Sequence, residues 1–417
     1  MKNAVLKILI GLLPVFVTGQ TPTSVWTQTA NPGLFPVNGV AFTKDGNRII
    51  SGTDCHPARM RIYSTQNGNI DWDYTVGNSF MCIMGVGFSS NGNYFAGVEE
   101  MGNILLFDNT QQPPVLSNTI AMNSMYAFSI DFAPNNHKLA VGGASGKLQT
   151  YRLSNSSIDL NVNAHSSWVT AVNFSPDNTK IASGGSDAKV KIWDTTGILL
   201  QTLSSHSDDI TSLKFSKDNT RLFSVSLDDK IKVWDVATGA LLNTISPLAG
   251  DILGIDIAAD NSRFVTVSAD MQIRIYNMST LALELSFGDT NSGIPRCVAW
   301  SPDDLSKIAV GYSNSTVILY DIGASTVGFQ DKSDIRVNIV AYPNPFTREI
   351  SIQWSQKLLK SLEVTDEQGK VIYTRENLES IDELYIPSVL FEAGGIYFLN
   401  SITNTNERIV KRLVKQN

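Results

Sequence analysis

Only four histidines and three cysteines occur in the 417 residues, and that scarcity removes much of the chemistry such a chain could carry. Cys55, Cys82 and Cys297 follow no metal-ligand spacing. His-Glu-x-x-His, Gly-x-Ser-x-Gly, a phosphate-cradling glycine loop and a calcium-loop pattern are all missing. No catalytic residue, metal or cofactor is therefore expected. Beyond the N-terminus no apolar run approaches the roughly 20 residues that cross a bilayer as a helix. With 32 Lys and Arg against 39 Asp and Glu, the formal net charge is −7. No basic stripe runs through the chain, which argues against nucleic-acid binding.

What is present reads as globular and exported. Hydrophobic residues make up 42% and charged residues 17%, too apolar for a disordered chain. Lys2 and Lys7 precede the apolar stretch Ile8 to Val17, and Val17-Thr18-Gly19 offers small residues before Gln20. Residues 1–19 thus read as a secretory signal, too short for a membrane anchor. The three cysteines would then occupy a disulfide-permissive compartment.

The body of the chain is periodic. Seven residue pairs, Phe42/Tyr63, Phe88/Phe107, Phe132/Tyr151, Phe174/Trp193, Phe215/Trp234, Ile257/Tyr276 and Trp300/Tyr320, are mostly 19 residues apart. Their second members recur every 41 to 44 residues. Such a period marks units that cannot bury their apolar faces alone and must stack. The fourth unit contains the runs Val169–Phe174, Lys180–Ser183, Val190–Asp194 and Leu199–Leu203, with Pro, Asp, Asn and Gly between them. Each unit is expected to be a four-stranded antiparallel sheet. The seventh lacks its outer strand, and the orphan run 24–29 is expected to supply it and close the ring.

These repeats resemble WD-repeat β-propellers over about residues 24 to 325. The Trp-Asp pair stands at Trp193-Asp194 and Trp234-Asp235, with variants at Tyr320-Asp321 and Phe107-Asp108. The resemblance implies two hydrogen-bonded tetrads, His165, Ser183, Asp187, Trp193 and His206, Ser224, Asp228, Trp234. The sixth repeat keeps only Thr266 and Asp270, and the other repeats are expected to rely on apolar packing. Ser, His and Asp are also the residues of a nucleophilic triad. Their recurrence at one spacing in consecutive repeats favours a structural role.

After about residue 325 the period stops. Residues 326–333 read as a linker and 334–417 as a small β-sandwich with a Gln368-Gly369 hairpin turn. This segment resembles the C-terminal sorting domain of proteins exported by the Bacteroidetes type IX secretion system. The resemblance rests on Tyr342-Pro343-Asn344-Pro345-Phe346, on Gly395-Ile396-Tyr397-Phe398, and on the basic final run to Lys415-Gln416. It implies export, then cell-surface attachment or release, with the secretion machinery as a partner through 334–417. The sequence thus gives an all-β, seven-bladed propeller over 20–325 followed by the sandwich.

Two further expectations concern named residues. Cys55 and Cys82 fall on the same face of adjacent blades, so a disulfide at a Cα separation of about 4.4–6.8 Å is feasible. Three unpaired thiols are the alternative. Cys297 aligns with Ala171 inside a strand, as a buried free thiol. Six residues before each first-strand anchor the chain reaches one rim, at Pro36, Cys82, Tyr126, Trp168, Asp209, Asp251 and Ile294. With neighbouring Phe35, Met81 and Asp208, that rim combines aromatics with acids, as interaction surfaces do. Simple packing under loops is the competing explanation for each of these side chains. The expected function is a non-catalytic binding or scaffold module for an unidentified protein or glycan, exported through the Sec pathway and then placed at the cell surface or outside. A propeller hydrolase or lyase, and a purely structural surface-layer component, are the alternatives.

Overall fold

A computed structural model describes residues 22–29, 35–53, 58–77, 82–122, 126–247, 250–323, 339–342, 349–354, 359–366, 370–376, 378, 383–391, 395–403 and 408–415. The segments expected as signal (1–19) and linker (326–333), and also Cys55, His56 and Met81, lie outside the described residues. The chain forms two compact units, 1–327 and 328–417.

The first unit is a ring of seven four-stranded antiparallel sheets. Their innermost strands are Val37–Phe42, Ile83–Phe88, Ala127–Phe132, Val169–Phe174, Ile210–Phe215, Ile252–Ile257 and Pro295–Trp300. We number the sheets as blades 1 to 7 in that order. Within blades 1 to 6 each strand pairs with the next in sequence, because short Asp, Asn and Gly turns permit nothing longer. In blade 7 the outer strand is Thr23–Thr29, antiparallel to Thr316–Asp321. The ring is closed by the first strand of the chain.

Trp26 secures that closure. It sits on the outer strand of blade 7, yet its indole donates to Thr65 O in blade 1 at 3.0 Å and lies 5.8 Å from the Tyr63 ring. The turn beneath it needs Gly68, with φ of 73°, because a Cβ there would meet Trp26 Cδ2 at 2.8 Å.

The core is distributed, not central. Seven buried clusters occupy the seven gaps between neighbouring blades. Ile210, Leu213 and Trp234 of blade 5, for instance, pack on Ala182 and Ile192 of blade 4. The second members of the seven aromatic pairs are all buried in these wedges. Burying each such ring contributes about 1.5–3 kcal/mol, and only a neighbouring blade can provide the surface. This explains the strict period.

The second unit has a three-stranded sheet (Ile339–Tyr342, Glu349–Trp354, Glu383–Pro387) and a four-stranded sheet (Leu359–Asp366, Val371–Glu376, Gly395–Thr403, Arg408–Lys415). Ile350, Ile352 and Ile386 from the first share one buried cluster with Leu362, Val364, Leu399 and Leu413 from the second. The unit is a small β-sandwich.

Candidate functional site

In blade 4 the tetrad assembles as a one-way relay. Trp193 Nε1 donates to Ser183 Oγ at 2.9 Å, Ser183 Oγ lies 2.8 Å from His165 Nε2, and His165 Nδ1 lies 2.8 Å from Asp187 Oδ1. Every proton is used once if the imidazole is neutral, donating from Nδ1 and accepting at Nε2. Burial pushes the His165 pKa below its ordinary value, against the pull of Asp187. Burial also raises the Asp187 pKa, but the hydrogen bonds from His165, Ser166 and Lys189 outweigh it and leave that carboxyl low. Blade 5 repeats the arrangement with Trp234, Ser224, His206 and Asp228 at 2.8–2.9 Å.

Both sets have the connectivity of a Ser-His-Asp triad, but Ser183 and Ser224 are 0% exposed. Each serine oxygen also accepts an indole N–H. Both hydroxyls are enclosed, and each set braces the strands of its own blade.

Most of the remaining blades add polar contacts of their own to the apolar packing expected of them. Gly185 of blade 4 lacks a side chain because the imidazole fills that space; a Cβ would lie 2.6 Å from His165 Cγ. The matching residue of blade 7 is Tyr312, and its hydroxyl meets that of Tyr320 at 2.6 Å. In blade 6 the guanidinium of Arg274 reaches Ser268 Oγ at 2.8 Å and both oxygens of Asp270. Blade 1 pairs Ser51 with Tyr63, and blade 3 pairs Tyr151 with Gln149. Blade 2 does use apolar packing, with Phe107 stacked on Phe95 and braced by Trp72.

The inner strands enclose a channel of about 180 Å³. At one level, charged and amide side chains stitch blade to blade. Asp131 Oδ2 accepts from Phe174 N at 2.7 Å, Asn173 Oδ1 from Phe215 N at 3.0 Å, and Asp256 Oδ2 from Trp300 N at 2.8 Å. Lys214 Nζ lies 3.5 Å from Asp256 Oδ1. Each of these residues immediately precedes a first-strand anchor, a position legible in the sequence. Cys297 is a free thiol on the channel wall, half-buried and not fully enclosed as expected; burial pushes its pKa up to about 12. Cys82 is in a disulfide, while Cys55 lies outside the described residues.

At the other level is the rim. The carbonyls of Cys82, Tyr126, Trp168, Asp209, Asp251 and Ile294 each accept a backbone N–H from the turn after the second strand, so these positions are structurally equivalent. Tyr126 and Trp168 are 38% and 49% exposed. Between them stands Phe128, whose ring centroid lies 6.5 Å from that of Tyr126 and 5.2 Å from that of Trp168. Phe128 was not anticipated; it lies inside the strand, where a bulge between Ala127 and Ser129 breaks the alternation. Tyr126 alone among the equivalent positions has a positive φ, 68°. For a bulky residue this conformation costs on the order of 1–3 kcal/mol. The strain is retained at a residue that stays 38% exposed.

The acids continue the rim on blades 5 and 6. Ser186 N donates to Trp168 O at 3.0 Å and Ser186 Oγ to Asp209 Oδ2 at 2.8 Å, so one residue links the entries of blades 4 and 5. Asp209 N donates to Asp208 Oδ1 at 2.8 Å. Asp208 and Asp251 are exposed. Phe35 is half-buried at the entry to blade 1, its N–H donating to Ser315 Oγ of blade 7 at 3.0 Å. Among the described residues no group of three or more His, Cys, Asp or Glu is placed to hold a metal ion. A recess of about 420 Å³ between blades 2 and 3 is lined by Lys138 and Arg152, but both cations are paired with Asp159.

Comparison with known families agrees with this architecture. Residues 158–194 and 197–235 match the family WD domain, G-beta repeat, and residues 340–416 match the family Secretion system C-terminal sorting domain. Each repeat match runs from the outer strand of one blade through the third strand of the next. The fold and its repeats define a WD-repeat β-propeller protein. More specifically, the chain is an exported propeller, carrying a type IX sorting domain that directs it to the cell surface or beyond. A search among curated proteins finds no match to the chain. Among the described residues no helix is long and apolar enough to cross a membrane.

Proposed function

We propose that this protein is a non-catalytic binding module, exported through the Sec pathway and delivered by its sorting domain to act at the cell surface or outside. The observation that carries this reading is the pair of exposed rings Tyr126 and Trp168, stacked on either side of half-buried Phe128 beside the channel mouth. Large aromatics left in solvent on two adjacent blades, one on a strained backbone, have the character of interaction hot spots. The Ser-His-Asp sets, the chief candidates for chemistry, are sealed inside blades. A purely structural surface-layer role would leave the exposed, strained rim without purpose.

The test is retention of cell-surface proteins and polysaccharides by the immobilised mature chain. We expect selective retention by the wild-type protein and its loss in the Y126A/W168A variant. Equal retention by both proteins would remove the rim from the account. Deletion of residues 334–417 should leave the propeller in the periplasm; finding it still at the cell surface would overturn the export arm.

A further inference from the structure

We propose that the rim takes a cationic peptide segment of a partner protein, seating a Lys or Arg side chain against Trp168 with Asp208 and Asp209 as counter-charges. The inference rests on the rim being a binding face and goes further by naming the ligand chemistry.

Contiguity is the first support. Ser186 joins the Trp168 carbonyl to the Asp209 carboxylate, and Asp209 N–H in turn orients Asp208. The backbone that carries the indole and the residues that carry the carboxylates thus adjoin on one rim. Charge is the second support. Asp208, Asp209 and Asp251 form no ion pair among the described residues, unlike Asp159, Asp73 and Asp270 elsewhere on the propeller. The whole chain is also acidic, at −7. An exposed indole attracts a cation through its ring quadrupole, and unpaired carboxylates alongside add to that attraction and steer the approach. A neutral glycan would use the aromatic face but gain nothing from the uncompensated charge. A peptide carrying Lys or Arg uses both.

The mature full-length protein is titrated with hexa-arginine, hexa-glutamate and cellohexaose by calorimetry, with thermal melting to confirm that each variant is folded. Hexa-arginine should bind and hexa-glutamate should not. W168A should weaken hexa-arginine binding by about twofold to fivefold, the size of an exposed cation–π contact, while W168F keeps part of the affinity. D208N should weaken binding while D71N, which removes the same charge from the exposed outer strand of blade 1, should not. Raising salt from about 50 mM to about 500 mM should weaken binding throughout. The proposal is overturned if hexa-arginine fails to bind, if W168A binds as well as wild type, or if D208N and D71N behave alike. Cellohexaose binding that depends on Trp168 without hexa-arginine binding would overturn the cationic ligand and leave the rim itself standing. Loss of partner retention in Y126A/W168A with no response to either probe would do the same.

Discussion

The hydroxyls of Tyr312 and Tyr320 meet at 2.6 Å inside blade 7, in the space that the His165 imidazole occupies in blade 4. Different residues from different strands thus solve one problem, that of leaving no buried polar group unpaired. Removing one hydroxyl leaves the other buried without its partner. Y312F is expected to lose about 1–3 kcal/mol, read as a lower urea midpoint at constant slope. The double variant Y312F/Y320F should recover much of that loss, because neither ring then carries an orphaned hydroxyl. Equal midpoints for Y312F and wild type would contradict the pairing.

The tetrads make stability depend on pH. Burial holds the His165 and His206 pKa values below the ordinary 6.5. As pH falls through that ordinary value, the unfolded chain takes up protons that the folded imidazoles do not, so stability declines. The depressed carboxyls of Asp187 and Asp228 act in the same direction at lower pH, being ionised in the folded state and protonated first in the unfolded one. The melting temperature should therefore fall between about pH 7.5 and about pH 5.5, less steeply in H165N/H206N than in wild type. A melting temperature that stays level or rises on acidification would show the imidazoles to be charged.

How far the sequence could be read depends on which positions repeat in kind. His165 and His206 stand at one spacing from Ser183 and Ser224, so two tetrads were visible. Tyr312 and Arg274 were not, because they rise from positions held by Gly185 and Lys191 in blade 4 and reach the same space from another strand. The closing strand could be placed by counting, since only one strand lacked a sheet and only one sheet lacked a strand. Tyr126 and Trp168 could be found by register alone. Their stacking through Phe128 could not, because the strand bulge that turns Phe128 is invisible in alternation.

Cys82 is in a disulfide and Cys297 is free. We expect Cys82 to pair with Cys55, tying the first two blades together on the rim face. Titration of the unfolded, unreduced protein should then find one reactive thiol, and that thiol should be slow to react in the folded state because burial raises its pKa to about 12. Three reactive thiols in the unfolded protein would rule the bridge out.

The central claim is that the Tyr126–Phe128–Trp168 rim is a binding face and not a packed part of the scaffold. Its most direct test is to measure melting temperature and partner retention on one preparation of Y126A/W168A. The account predicts retention reduced by about tenfold or more, with a melting temperature within about 3 °C of wild type, since exposed substitutions cost little. A fall of more than about 6 °C, with retention per folded molecule unchanged, would contradict it and return these rings to the core.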